Sequence, residues 1–324
     1  MCNIKSYMIY RNSYMIPNSR YLHVIILREV SLPEQFAVYT NCSDCSHFCE
    51  CFLRQNGGKI DVEKMMITFF RVFLIYLEEE CRLGSNILSY LLKRNGGCLY
   101  TLGTAEATMA RTIGRLGCGK VITFSCTPTK SNVLSFNRLG IPENSYLHIS
   151  PFNEITNSDI CYYIKNFQGF DIIVEDTNFQ MYGNNRSDQI DFVKQKLKAD
   201  GLIVFIEKFN CEYDEEYIRR EKIKDQCFKN YFFKQEDIIQ KRYEVLDTMH
   251  NGQVTLKEFS VSLSNHFKYA TIIWNSTNFY SIIASNSKKN LLQFVHEMPE
   301  VFIPKEFCFM DKLPYPLLGL LDNE

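Results

Sequence analysis

The sequence predicts an α/β fold built on a mostly parallel sheet that ends in an antiparallel hairpin. Between residues 98 and 206, short apolar runs alternate with helix-like segments, which is typical of parallel strands joined by crossover helices. Two further strand patterns, 269–274 and 279–285, are separated only by turn-forming residues and indicate a hairpin. With 46% hydrophobic and 23% charged residues, the 324-residue chain has the composition of a folded protein with a sizeable core.

Residues 1–82 are predicted to form an N-terminal α+β extension. Apolar clusters at 21–27 and 36–39 indicate short strands, and the periodicity of 61–93 indicates helix, with Gly84 expected to separate two helices.

Four cysteines and one histidine lie close together at residues 42–51 of this extension. Cys42 and Cys45 have the spacing of a zinc knuckle, whereas Cys49 and Cys51 would point to opposite faces of a strand. A zinc-dependent interaction module and chance clustering therefore both stay open, and we assign no metal ligand.

The elements that follow alternate regularly along the chain. Strands are predicted at 98–102, 120–125, 147–149, 170–174 and 201–206, and helices at 106–116, 130–138, 159–167 and 189–197. A charged helical insertion at about 212–266 precedes the hairpin and is either a solvated face with mixed-sign ion pairs or a lid over a ligand site. The tail, 289–324, contains four prolines and is interpreted as an irregular C-terminal arm.

The charge balance and the cysteine content limit the classes of partner. Lys plus Arg is 36 and Asp plus Glu is 37, so the net charge of −1 argues against binding nucleic acid by bulk electrostatics. The longest apolar run, 65–77, contains Arg71 and is too short to span a bilayer. The odd number of cysteines, 13, and the lack of a secretory leader pattern favour a reduced, cytoplasmic protein without a membrane partner. The composition sets no oligomeric state.

The order of elements from about 83 to 288 resembles the class I S-adenosylmethionine-dependent methyltransferases. In that family the loop after the first strand has an acid-x-Gly-x-Gly-x-Gly pattern, which lets the backbone approach the cofactor and leaves a helix N-terminus facing it. Here the pattern begins at Thr101 and keeps only Gly103, with Ala105 and Ala107 at the other two glycine positions. Alanine permits the close approach provided that neither position needs a positive φ.

A second family feature is a carboxylate at the end of the next strand, which holds the ribose hydroxyls. Ser125 occupies that position, and a serine offers one hydrogen bond rather than a bidentate acceptor pair. The resemblance implies a Rossmann-like domain with S-adenosylmethionine as cofactor. Its implied cofactor-binding residues are Thr101, Gly103, Thr104, Ala105, Glu106, Ser125 and Phe152.

Later motifs also resemble the family. Residues 170–176 (FDIIVED) are similar to its fourth-strand motif, and 197–205 (LKADGLIVF) are similar to its LKPGG turn and fifth strand. Glu175 and Asp176 would then lie at the carboxyl edge of the sheet and are the candidate catalytic residues, one acting as a general base. The alternative is that one carboxylate caps the following segment and the other is solvated.

The segment after these carboxylates is dense in polar and aromatic groups. It predicts an acceptor pocket, because positioned loops commonly carry function, although an ordinary connection remains the alternative. The candidate substrate-binding residues are Phe179, Gln180, Tyr182, Arg186 and Trp274, the last with a core tryptophan as the alternative.

Two further patterns leave alternatives open. Glu207 and Lys208 end the fifth predicted strand and either share the site or pair with each other. Residues 247–258 partly match a calcium-binding EF-hand loop, but Met249 offers no oxygen ligand, and a helix-turn-helix explains Gly252 equally well.

We therefore expect a methyltransferase that acts on the oxygen, nitrogen or carbon of a small-molecule acceptor. The alternatives are a non-catalytic binding protein on a degenerate methyltransferase fold, motivated by Thr101, Ala105, Ala107 and Ser125, and a protein methyltransferase.

Overall fold

An eight-stranded sheet organises the part of the chain that the computed structural model describes, residues 73–104, 107–137, 140–226, 235–241, 247–301 and 307–320. Its strand order is β3-β2-β1-β4-β5-β7-β6-β8. The strands are β1 Gly97–Thr101, β2 Val121–Thr127, β3 Ser145–Ile149, β4 Phe170–Asp176, β5 Leu197–Lys208, β6 Tyr269–Ser276, β7 Phe279–Ser285 and β8 Tyr315–Leu318. The predictions for residues 1–72, including the cysteine cluster at 42–51, lie outside the described residues.

Helices cover both faces of this sheet. Within the described residues they are α1 Phe73–Lys93, α2 Thr108–Leu116, α3 Asn132–Asn137, α4 Asn157–Tyr163, α5 Arg186–Lys194, α6 Asp214–Lys224, α7 Gln235–Lys241, α8 Asp247–Asn251, α9 Leu256–Ser264 and α10 Lys288–His296. Short 3-10 turns follow β3 and β4, at Phe152–Glu154 and Phe179–Tyr182. None of the helices in these described ranges is long and apolar enough to cross a membrane.

Strands β1 to β5 are mutually parallel, whereas each of β6, β7 and β8 pairs antiparallel with its neighbours. β1 pairs in parallel with β2 and β4, whereas β5 pairs antiparallel with β7, and β7 with β6. The predicted mostly parallel sheet with an antiparallel terminal hairpin is therefore confirmed. The carboxyl ends of β1, β2, β4 and β5 meet at one edge, where open α/β sheets bind ligands.

Strand alternation divides the core into two apolar layers. Leu99 and Val204 lie in a cluster with residues of α1, α2 and α10 on one face, here called the first face. Tyr100 and Phe205 lie in a cluster with residues of α5 and α9 on the other, the second face. Because neighbouring residues of a strand point to opposite sides, this parity decides which side chains can share a site.

Gly84 does not separate two helices as predicted, because α1 is continuous from Phe73 to Lys93. Leu83, Ile87 and Leu91 are fully buried on the first face. Burying each such side chain stabilises the fold by about 1.5–3 kcal/mol, which outweighs the ~1 kcal/mol that one helical glycine costs.

The prediction of an irregular arm after residue 288 is wrong at two places. Helix α10 begins at a capping Ser287 whose side chain accepts a hydrogen bond from the Asn290 N–H, and it buries Leu291 and Phe294. Strand β8 pairs antiparallel with β6 and adds the eighth strand to the sheet. The prolines of this segment led to the prediction of an irregular arm. Pro316 is nevertheless tolerated in a strand, because β8 lies at the edge of the sheet.

The insertion ends in two helices rather than a calcium loop. Thr255 caps α9 in a reciprocal box with Glu258, the residue that would close an EF-hand loop. Across the described ranges, no three His, Cys, Asp or Glu side chains are arranged to hold a metal ion.

Candidate functional site

The loop after β1 lies at the carboxyl edge, between β2 and the turn that follows β4. Gly103 has a φ of 56°, a conformation that favours glycine, and its N–H faces the Cys126 sulfur at 3.5 Å. A Cβ at this position would collide with the carboxamide of Asn178. The one glycine that the motif keeps is therefore needed both for its backbone angle and for the close approach of Asn178.

The two positions where the resemblance implied carboxylates bind each other. Thr101 and Ser125 are paired in register, and their hydroxyl oxygens lie 2.7 Å apart. Their side chains are buried, with 4% and 0% exposure. The two positions where the resemblance implied acids are therefore occupied by hydroxyl groups that are hydrogen-bonded to each other.

Ala107 adopts a left-handed conformation, with φ 52° and ψ 40°. Alanine replaces glycine without strain only where φ is negative, and this condition is not met at Ala107. The left-handed conformation of this alanine costs about 1–2 kcal/mol of folding free energy. Ala107 is the N-cap of α2 and supplies no side-chain cap to the first turn. Ala105 and Glu106 lie outside the described residues.

Two polar atoms beside this loop lack a partner among the described residues. They are the Thr104 hydroxyl oxygen and the Asn178 amide nitrogen, and both are buried. Buried polar groups in proteins are nearly always hydrogen-bonded, so such atoms point to a ligand or a water. The donor set at the loop therefore fits the amino-acid end of S-adenosylmethionine, while the ribose end lacks its carboxylate.

The candidate catalytic carboxylates differ in their surroundings. Glu175 is fully buried, and its Oε1 accepts hydrogen bonds from the N–H groups of Asn178 and Phe179. Burial and the neighbouring Glu207 charge raise the pKa of Glu175 well above its usual range. Asp176 points to the other side of the strand and is half-buried, so it is the more accessible of the two.

Arg186 lies in the interior, with 1% exposure, and faces the Glu207 carboxylate. The Arg186 Nε and Glu207 Oε1 atoms are 3.0 Å apart but are not aligned as a hydrogen bond. The guanidinium also donates to the carbonyls of Gly183 and Gly252 and to Gln189 Oε1. It therefore links the turn after β4, the end of β5 and the insertion.

Burial shifts the pKa of Glu207 upwards to about 7, even though the Arg186 charge lowers it.

Gln180 lies where the insertion packs on the turn after β4. It is 1% exposed, its amide nitrogen donates to the Thr177 carbonyl, and its Oε1 has no partner within the described chain. The Gln180 carbonyl approaches Gly252 so closely that a Cβ there would collide with it. This close approach accounts for Gly252.

The predicted aromatic residues divide between the two faces. Phe152 contacts Phe179 and Tyr182, with 5.2 Å between ring centroids in each pair. Phe152 and Phe179 are buried, and Tyr182 is partly exposed. Trp274 instead lies in the core cluster of the first face, so the structure does not bring it to the other three. A bulge in β6 beside Trp274 sets its side.

Lys208 belongs to a buried charge cluster that the sequence did not indicate. Lys208 and Lys224 both pair with Glu221 Oε2, and Glu221 also accepts from Asn278. Burial lowers the pKa of Lys224 to about 8, whereas the two lysine charges lower that of Glu221 despite its burial. The predicted alternative of a Glu207–Lys208 pair does not form, because consecutive strand residues point to opposite faces, and this parity was readable in the sequence.

A cavity of about 720 Å³ lies farther along the sheet. It is lined by Arg82 of α1, Ile273 of β6, Val295 of α10, Cys308 and residues 298–301 and 310–314. β5 and β7 separate β6 from β4, a distance of about 14 Å at the usual strand spacing. The cavity is therefore distinct from the site around Asp176 and Asn178.

The strand order decides the fold family. Five parallel strands in the order 3-2-1-4-5, extended by an antiparallel β7 and then β6, form the sheet that the resemblance implied. The chain has the fold of the class I methyltransferases.

Comparison with known proteins found matches among solved structures. No protein-family model and no curated protein matches the sequence. Among solved structures, the methyltransferase fold is matched by the plantazolicin methyltransferase BpumL in complex with SAH, at 9% identity and a TM-score of 0.48, over 74% of this chain and 95% of that chain. The plantazolicin methyltransferase BamL, in complex with a triazolic desmethylPZN analog and SAH, matches at 11% identity and a TM-score of 0.46, over 82% and 100%.

A third match is the cyclopropane synthase MmaA2 from Mycobacterium tuberculosis, at 12% identity and a TM-score of 0.39. It covers 57% of this chain and 60% of that chain.

Proposed function

We propose that this protein is an S-adenosylmethionine-dependent methyltransferase that acts on a small-molecule acceptor. The observation that carries the proposal is the set of polar groups at the carboxyl edge of the sheet. There Gly103, the unpartnered Thr104 hydroxyl and the unpartnered Asn178 amide lie at the same edge of the sheet as the half-buried Asp176, which ends β4.

The residues that would hold the cofactor are Gly103, Thr104 and Asn178, together with the first turn of α2. The role of Phe152, whose ring contacts Phe179, stays a prediction. When bound, S-adenosylmethionine supplies a methyl group on a positively charged sulfur. Thr101 and Ser125 are instead given a structural role within the sheet, because their hydroxyls are hydrogen-bonded to each other. The assignments of Ala105 and Glu106 stay predictions.

The chain's own residues then position the acceptor and take its proton. Asp176 is the general base, and its carboxylate accepts the proton of an attacking hydroxyl or amine. The partly exposed ring of Tyr182, which packs on the buried Phe152, supplies the apolar surface that excludes water. Orientation of the reactants accounts for much of the rate of a displacement reaction. Glu175 is given no direct part in the proposed chemistry, because its carboxylate is fully buried: Oε1 accepts from two backbone N–H groups of the turn, and Oε2 is enclosed as well.

The insertion is proposed to cover the acceptor. Gly252 packs against Gln180 and receives a hydrogen bond from Arg186, so the insertion lies directly on the turn after β4. A cover at this position excludes water from the acceptor site.

Calorimetric titration with S-adenosylhomocysteine tests the cofactor. We expect saturable binding and a rise in Tm, because a ligand that binds only the folded state stabilises it. Asp176→Asn keeps the shape of the side chain but not its basicity, so this variant should bind the same ligand while losing about 10²–10⁴-fold in turnover. The absence of both heat and thermal shift at millimolar S-adenosylhomocysteine would defeat the proposal.

The paired hydroxyls of Thr101 and Ser125 favour a second candidate, a non-catalytic binding protein on the same fold. Incubation of the protein and a cell extract with S-adenosylmethionine labelled on its methyl group separates the candidates. We expect label in the small-molecule fraction. Label in the protein fraction would support a protein methyltransferase, and binding without any labelled product would support the non-catalytic candidate.

A further inference from the structure

We propose that the Asn178 carboxamide, together with the Thr104 hydroxyl, binds the carboxylate at the amino-acid end of the cofactor. This inference rests on the proposed function, because it concerns the same cofactor.

The position of Asn178 is fixed by the turn after β4. Its backbone N–H donates to the buried Glu175 carboxylate, and so does the next N–H, of Phe179. Thr177, directly before it, is held in a left-handed conformation with φ 52°, and its N–H donates to the Ile206 carbonyl at 2.7 Å. The carboxamide is thus carried to Gly103 by a turn that is anchored on β4 and β5.

Asn178 is 7% exposed and its amide nitrogen has no acceptor within the described chain. Leaving such a donor buried and unpaired costs about 1–3 kcal/mol. The hydroxyl oxygen of Thr104, the residue after Gly103, is buried and unpaired as well. Two unpaired groups that flank one glycine of a cofactor loop indicate a shared ligand.

The chemistry of the two groups selects the end of the cofactor. An amide nitrogen only donates hydrogen bonds and a hydroxyl donates one, so together they match a carboxylate, which only accepts them. Ribose hydroxyls both donate and accept, and the carboxylate that the resemblance implied for them is absent, because Ser125 stands in its place and is engaged with Thr101. The amino-acid carboxylate is therefore the group that fits.

The test compares two ligands that differ in that end. S-adenosylhomocysteine has the amino-acid carboxylate, whereas 5′-methylthioadenosine keeps the thioether, ribose and adenine without it. By calorimetry, we expect Asn178→Ala to weaken S-adenosylhomocysteine at least tenfold and to leave 5′-methylthioadenosine unchanged. Asn178→Asp, which places a like charge at the carboxylate, should weaken the first ligand further and again spare the second.

Asn184→Ala is the matched control, because Asn184 is exposed in the segment that follows the same turn. It should change neither affinity. A circular dichroism spectrum and a Tm for each variant show whether it is folded. If Asn178→Ala is not folded, Asn178→Asp still tests the proposal, because it preserves the shape of the side chain.

The outcomes separate this inference from the proposed function. If the unaltered protein binds neither ligand, the proposed function fails. If it binds both, and the Asn178 variants weaken both equally or leave S-adenosylhomocysteine unaffected, the cofactor assignment survives and the role of Asn178 is overturned.

Discussion

At the scale of single residues, the chain buries two carboxylates near one guanidinium. Glu175 and Glu207 are both 0% exposed, on the second face at the ends of β4 and β5, and Arg186 is the cation that lowers the pKa of each. Burial nevertheless raises the pKa of Glu207 to about 7 and that of Glu175 well above its usual range. The folded state therefore binds more protons than the unfolded state above the ordinary glutamate pKa of 4.5.

This proton excess predicts that stability falls as the pH rises from about 4.5 through 7, because the buried groups must then ionise. Glu175→Gln keeps an oxygen for the two backbone N–H groups but cannot ionise. Urea unfolding should show that the unaltered protein loses more stability between pH 5 and pH 8 than the variant does. Equal losses in the two proteins would contradict this account.

Sequence reasoning at this scale succeeded in part. It placed Glu175, Asp176 and the polar segment after them at the carboxyl end of a strand, where the structure has them, and their catalytic and substrate-binding roles stay predictions. It also noted that the motif lacks its acids. It did not foresee that Ser125 binds Thr101, since that pairing depends on the register between two strands.

At the scale of elements, Arg186 fastens the insertion to the sheet. The sequence predicted it as a substrate-binding residue, but its guanidinium faces Glu207 and donates to the Gly252 carbonyl at 2.9 Å. The insertion lies far along the chain from Arg186, so only the folded chain shows this contact. Arg186 is accordingly a structural link between α5, β5 and the insertion.

Arg186→Met should destabilise the protein by about 3–5 kcal/mol, because it leaves the Glu207 carboxylate buried without its partner. Hydrogen exchange should also become faster at residues 247–264 than elsewhere. In the double variant Arg186→Met with Glu207→Leu, no unpaired carboxylate is left buried. Global stability should therefore partly recover, while hydrogen exchange in the insertion stays fast. Recovery of both would show that the bond to Gly252 is dispensable.

At the scale of the whole molecule, the C-terminal segment completes the sheet. β8 pairs with residues 270–272 of β6, the Thr271 hydroxyl donates to the Tyr315 carbonyl at 2.9 Å, and the Phe309 N–H donates to the buried Asn275 side chain. This segment covers the edge of β6, and unpaired edges promote association between chains.

Deletion of residues 309–324 should therefore leave a folded protein that associates. We expect size-exclusion chromatography with light scattering to show larger species than the undeleted chain forms at the same concentration, because the edge of β6 then offers its free N–H and C=O groups to another chain. An identical mass distribution for the two proteins would refute a protective role for β8.

The sequence by itself determined the order of the elements, the parallel sheet with its terminal hairpin and the strand ends at which the candidate site is proposed. These features depend on local periodicity, turn residues and strand ends, which neighbouring residues encode. The tertiary structure alone decided that Thr101 binds Ser125, that Trp274 lies on the first face and that β8 joins β6. Each of these depends on register, bulges or contacts between distant segments, which become defined only when the strands pair and pack.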